Sequence, residues 1–104
     1  MEYEVVLTDN AAADLDAFLL YILREKQNPQ AVQAILDDYE QTIQVLSRVV
    51  TSLKLCDNPR LKELGYHRIN FISHRYFMLY RVEHHTVYVD NIFHELQDYA
   101  NIIS

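Results

Sequence analysis

Residues 66–93 read Tyr66-His67-Arg68-Ile69-Asn70-Phe71-Ile72-Ser73-His74-Arg75-Tyr76-Phe77-Met78-Leu79-Tyr80-Arg81-Val82-Glu83-His84-His85-Thr86-Val87-Tyr88-Val89-Asp90-Asn91-Ile92-Phe93. Three runs rich in β-branched and aromatic residues, 66–72, 75–83 and 86–93, stand in this stretch. Ser73-His74 and His84-His85 separate them, and breaks of that length suit antiparallel hairpins. Side chains alternate across a strand, so Ile69 and Phe71 share one face while Arg68 and Asn70 share the other. One face of the sheet is therefore expected to be core and the other polar.

Just upstream, Gly65 is the only glycine of the chain and is expected at positive φ, closing a loop or short turn over 60–65. Asp57-Asn58-Pro59 breaks the helix before it. That helix opens at Asn28-Pro29, a capping residue followed by proline at the first helical position, where its missing N–H costs nothing. Val32, Ile35, Tyr39, Ile43, Leu46, Val50 and Leu53 hold a helical register from there for about six turns, with Asp37, Asp38, Glu40, Gln41 and Gln44 mostly outside it. Thr8-Asp9-Asn10 starts an earlier helix, in which Leu15, Phe18, Leu19 and Ile22 mark the apolar face and which runs to about Lys26. Two helices joined by so short a turn pack as an antiparallel hairpin. Residues 2–7 read as a strand, and 97–103 as a short terminal helix carrying Ile102 and Ile103. The order is β-α-α-β-β-β, an α+β domain with the hairpin on one face of an antiparallel sheet and the other face open to solvent. Leu15, Phe18, Ile22, Ile35, Tyr39, Leu46, Ile69 and Phe71 are the expected core.

The chain has 104 residues, enough for one hydrophobic core, so residues 1–104 are expected to form a single domain with a single site. Its start, Met1-Glu2-Tyr3-Glu4, lacks the basic and apolar regions of a secretory signal. No run approaches the roughly 20 apolar residues of a membrane span, so a cytoplasmic location off the membrane is expected. Cys56 stands alone, which rules out an internal disulfide or a cysteine zinc cage and suggests a small residue at a helix end. The net charge of −6 argues against a general nucleic-acid binder, but its distribution is uneven. Residues 1–53 carry nine acids against Arg24, Lys26 and Arg48, whereas between 54 and 81 Lys54, Arg60, Lys62, Arg68, Arg75 and Arg81 face only Asp57 and Glu63. An anion-facing surface would have to come from that second half.

Three local sequences then occur in order. Leu7-Thr8 … Asp14-Leu15, with Asn28-Pro29-Gln30-Ala31, is similar to the pattern L-T-x-x-A-x-x-D-L … N-P-x-A. Gly65-Tyr66-His67-Arg68 … Tyr76-Phe77-Met78-Leu79-Tyr80-Arg81-Val82 is similar to G-Y-R-R … Y-x-x-F-Y-R-V. Val87-Tyr88-Val89 … Ile92-Phe93-His94-Glu95-Leu96-Gln97-Asp98-Tyr99 is similar to V-Y-I-x-x-I-x-H-x-R-R-D-Y. These are patterns of the RelE/ParE superfamily of bacterial toxins, which the chain resembles over nearly its whole length. The resemblance implies the toxin half of a type II toxin–antitoxin (plasmid stabilisation) pair, without cofactor or metal, masked by a cognate antitoxin. It implies one of two activities: RelE-like members cut mRNA in the ribosomal A site, and ParE-like members poison DNA gyrase. A folded relative that only binds its antitoxin, or itself as a homodimer, is a third reading. Departures from the pattern lean toward the ParE-like branch. Phe77 stands where RelE-like nucleases place an arginine, and Glu95, Leu96 and Gln97 replace the usual glycine and basic residues. Each lost cation weakens binding to a polyphosphate.

Metal-independent cleavage of RNA by a 2′-hydroxyl requires a base, an acid and cations on the phosphorane. His94, Tyr99 and Arg75 form the candidate catalytic set. Arg68, Arg75, Arg81 and Lys62 are the cations available to a ligand or target. Each has a plainer role beside it. His94 can tie the C-terminal tail to the sheet, and Arg81 can form a structural ion pair with Glu63 or Asp98. Arg68 and Arg75 can simply be solvated, and the eight tyrosines can finish a wet-rimmed core. His84 and His85 diverge in a turn and make no metal site.

Overall fold

A computed structural model describes residues 3–49 and 54–97. Strand β1 (Glu4–Leu7) passes into helix α1 (Asp9–Glu25) through Thr8, an extended residue whose Oγ1 accepts from the Ala11 N–H at 3.4 Å and donates to the Val89 carbonyl at 3.1 Å. The hydroxyl thus caps the helix and pins its start to the sheet. Helix α2 (Pro29–Val49) begins as the Asn-Pro pair predicts, with Asn28 Oδ1 accepting from Ala31 N–H at 3.1 Å. Val50 and Leu53 of its expected register, and the expected terminal helix from residue 98 onward, lie outside the described residues.

Where a loop was expected over 60–65, the chain instead makes a short helix, α3 (Pro59–Glu63). Asn58 Oδ1 accepts from Arg60 N–H at 3.0 Å and Leu61 N–H at 3.2 Å. The Asn-Pro pair read as a helix breaker is here the start of a helix, which is why the reading as a breaker alone fell short. Gly65 follows at φ 83°, as expected.

Strands β2 (His67–Asn70), β3 (Tyr76–Glu83) and β4 (Thr86–His94) form the antiparallel meander that the opening stretch predicts. β1 joins β4 in parallel, giving the order β1-β4-β3-β2. Helices α1 and α2 cover one face. Ala11, Leu15, Ile22, Ile35 and Leu46 pack there on Phe71, Met78, Tyr80, Val87, Val89 and Ile92, with Phe18, Tyr39 and Ile69 half-buried against them. Val87, Val89 and Ile92 are spaced two and then three apart, which no regular strand can place on one face. The register shifts at Leu79/Tyr80, so that Leu79 pairs with Asn91 and Tyr80 with Val89; Asp90 is the extra residue. This bulge lets all three apolar residues meet the helices.

The second face is not simply open. Phe77, Leu79 and Phe93 form a further core there with Cys56, Tyr66 and Leu61, and α3 covers it. Burying each such side chain contributes about 1.5–3 kcal/mol, which explains why a five-residue helix is retained. Asp38 departs from expectation as well. Although its neighbours Asp37 and Glu40 are exposed, it is buried, and its carboxylate accepts from Ile72 N–H (2.9 Å), Ser73 N–H (3.0 Å) and His74 Nδ1 (2.6 Å). One side chain of α2 therefore holds the turn between β2 and β3.

Candidate functional site

The second face gathers the cations. Lys54 precedes α3, Arg60 and Lys62 lie on it, and Arg68 lies on β2. Arg75 directly precedes β3 in phase with Phe77, so strand alternation directs it to this face too. Arg68 Nε donates to Asn70 Oδ1 at 2.9 Å, and its guanidinium carbon lies 3.8 Å from the centre of the Phe77 ring. The Phe77 ring is thus the platform on which the Arg68 cation rests, a contact worth about 0.5–2 kcal/mol. A groove of about 360 Å³ opens beside it, lined by Lys54, Leu55, Cys56, Asp57, Arg68, Ile69 and Asn70. Burial pushes the Cys56 thiol above its ordinary pKa, against the pull of Arg68, so Cys56 is poorly suited to act as a thiolate.

Further along the same face Arg81 forms the ion pair foreseen for it, but with other acids. Its Nε donates to Asp90 at 2.8 Å, its Nη1 to Glu83 at 2.6 Å, and its guanidinium lies 4.6 Å from the Tyr88 ring centre. Tyr66 O–H also donates to Asp90, at 2.8 Å. Asp90 shares this face with Tyr88 by simple alternation, and the bulge then returns Ile92 to the helices. Burial first, and then the bond to Asp90, push Tyr66 up to about 12, while the hydrogen bond to Asp90 outweighs desolvation and raises Arg81. Arg81 is thus held in place by its neighbours on the strands.

His94 ends β4 on the helix-covered face, opposite Tyr76. Its ring meets Tyr76 edge-on at 5.2 Å, its Nδ1 accepts from Leu96 N–H at 3.2 Å, and its own backbone N–H donates to Gln97 Oε1 at 2.8 Å. An accepting Nδ1 leaves Nε2 as the protonated nitrogen of the neutral ring. The ring lines an apolar groove of about 460 Å³ with Ala17, Phe18, Tyr21, Tyr76, Leu96 and Gln97. Of the candidate catalytic set, Tyr99 lies outside the described residues, and His94 and Arg75 are directed to opposite faces of the sheet. Arg68, Arg75 and Lys62 do share a face. Sequence reasoning did not single out Lys54 and Asn70 beside Arg68, nor Asp38 and Asp90. Only Asp90 left a signal, the broken alternation of residues 87–93.

The fold has counterparts among known proteins. No curated protein matches the chain. A structure of the chromosomal ParDE toxin–antitoxin system from P. aeruginosa is similar in fold, with TM-score 0.70 and 19% identity over 89% of this chain and 96% of that one. A chain of the RelBE2 toxin–antitoxin complex from Mycobacterium tuberculosis is similar at TM-score 0.58 and 24% identity, over 90% of this chain and 99% of that one. Residues 5–99 match the family described as the ParE toxin of the type II toxin–antitoxin system parDE. With nearly its whole length matched, the chain belongs to the ParE toxin family.

Proposed function

We propose that this toxin arrests growth by binding an essential protein, with DNA gyrase as the favoured target, and that a cognate antitoxin neutralises it in the cytoplasm. The observation that carries the reading is the separation of His94 from Arg68, Arg75 and Lys62. Acid–base cleavage of RNA needs proton transfer and cationic stabilisation at one phosphate. His94 instead faces an apolar groove, and the cations lie across the sheet. A surface that docks a protein has no such requirement, and a basic face on a chain of net charge −6 suits an acidic patch on a partner. The antitoxin is supported by the family and by the two similar structures, which come from toxin–antitoxin systems.

Induced expression of the wild type and of His94→Gln, with primer extension on ribosome-bound message, tests the reading. Glutamine keeps a hydrogen-bonding side chain and removes acid–base chemistry. Equal growth arrest with intact message is the expected result. Ribosome-dependent cuts in the wild type, weaker by about 10²-fold or more in His94→Gln, would establish an mRNA endoribonuclease instead.

A further inference from the structure

β1 is one edge of the sheet, and the bonds on either side of it fix which of its backbone groups face outward. Glu4 N–H donates to the His85 carbonyl at 3.1 Å and Thr8 N–H to the Val89 carbonyl at 3.0 Å. The even-numbered residues therefore bond to β4, and Tyr3, Val5 and Leu7 point away from it. Tyr3 N–H is taken by the Ser47 carbonyl of α2 at 3.0 Å, and at Thr8 the strand passes into α1. Between these ends, the backbone N–H and C=O of Val5 and Leu7 have no partner among the described residues. The chain resumes at Lys54 and Leu55 against β2, the opposite edge, and Gln97 stands in the groove beside Ala17 and Tyr21. The side chains of Tyr3, Val5 and Leu7 pack toward the helices, whereas Glu4 and Val6 take the other face, where Val6 joins neither core.

We propose that the β1 edge pairs with its own counterpart in a second copy of this chain, antiparallel and about a two-fold axis at Val6. An antiparallel rung joins the donor and acceptor of one residue to those of the residue opposite. Val5 and Leu7 stand two apart, so setting Val5 against Leu7 of the second copy, and Leu7 against its Val5, pairs every open group of both edges at once. In that register Val6 faces Val6, Glu4 faces Thr8, and Tyr3 faces Asp9, so no like charges stand opposite each other. The turn of α2 that holds Tyr3 also carries Arg48, which comes beside Asp9 of the second copy. Both are exposed, and neither is in an ion pair among the described residues. The two-fold repeats this opposite-charge match on the other side of the axis. A segment of another protein can use the same rungs, but only a second copy brings its own Asp9 to Arg48 in the register that the rungs fix. The closed stations at Tyr3 and Thr8 keep the contact short, which makes the dimer a weak one.

Sedimentation equilibrium of the purified chain from about 10 µM to 1 mM tests the proposal. Each copy carries a net charge of −6, so the salt is held at about 0.15 M, where the Debye length is ~8 Å. The wild type is expected to pass from monomer to dimer over this range, with concentration-dependent amide shifts confined to residues 3–9 and 47–49. Val6→Lys sets two cations face to face on the axis without entering either core, and should weaken the dimer about tenfold. Arg48→Glu and Asp9→Lys should each weaken it about three- to tenfold, and the double variant Asp9→Lys/Arg48→Glu should return to within about twofold of the wild type. Should Val6→Lys not fold, this charge exchange alone decides. A dimer indifferent to Val6→Lys, shifts on other residues, or a double variant as weak as the single ones overturns the proposal. So does a wild type that stays monomeric throughout; if the protein encoded beside it then shifts the Val5 and Leu7 amides, the edge belongs to that partner instead.

Discussion

Asp38 belongs to the polar flank of the α2 register, and nothing in its sequence neighbourhood separates it from Asp37. Its role depends on where the turn between β2 and β3 lands, which is a tertiary fact. Burial works against its charged form, but the bond to His74 and the N–H groups of Ser73 and Ile72 outweigh this and hold its pKa below the ordinary 3.8. A lowered folded pKa stabilises the fold at pH values above the unfolded pKa, and the gain is lost as the pH falls through the folded one. Asp38→Asn should therefore cost about 1.5–3 kcal/mol near neutrality. In paired denaturant melts, its deficit relative to the wild type should shrink as the pH drops below 3.8. A deficit independent of pH would show that the carboxylate's charge is not what holds the turn. Tyr80 offers the opposite case. It is fully buried, and its hydroxyl has no hydrogen-bond partner among the described residues. Tyr80→Phe removes an unsatisfied group with little change of shape, so it should be neutral or stabilising by about 1 kcal/mol. A clear drop in Tm would reveal a bond that the hydroxyl makes.

At the scale of elements, the sequence was most readable where a local rule and the tertiary need coincide. The Thr8 and Asn28 caps, the two long helices, Gly65 and the His84-His85 turn follow from capping, periodicity and turn length alone, whereas residues 71–75 join β2 to β3 where a two-residue break was expected. α3 was obscured because Asn58-Pro59 satisfies the rule for stopping a helix as well as the rule for starting one. The second core was obscured because Arg68 and Asn70 announce a polar face while Phe77, Leu79 and Phe93 on neighbouring strands make it apolar. Leu61, fully buried, is the link between α3 and that core. Leu61→Ala should cost about 2–5 kcal/mol by transfer and cavity terms, as should Ile35→Ala in the larger core. Equilibrium unfolding in urea checks both. Thr8→Ala, which removes the α1 cap and its bond to Val89, should cost about 0.5–2 kcal/mol. A negligible loss on Leu61→Ala would mean that α3 is peripheral to the fold.

Across the whole molecule, charge and chemistry are divided between two faces. The helical hairpin carries seven of the fifteen acids, the α3 side carries Lys54, Lys62, Arg68 and Arg75, and His94 opens into an apolar groove away from them. Sequence reading found the basic half and every one of these residues except Lys54 as a site candidate. It could not find their separation, because strand phase across a bulged sheet decides which side chains meet. A binding role accommodates this division. The direct test is purified toxin added to a plasmid supercoiling reaction catalysed by DNA gyrase, with ribosome-dependent message cleavage assayed alongside. Inhibited supercoiling, relieved by the neighbouring antitoxin, with message left intact is the predicted result. Unaffected gyrase at a stoichiometric excess of toxin, together with message cut on the ribosome, would contradict the account.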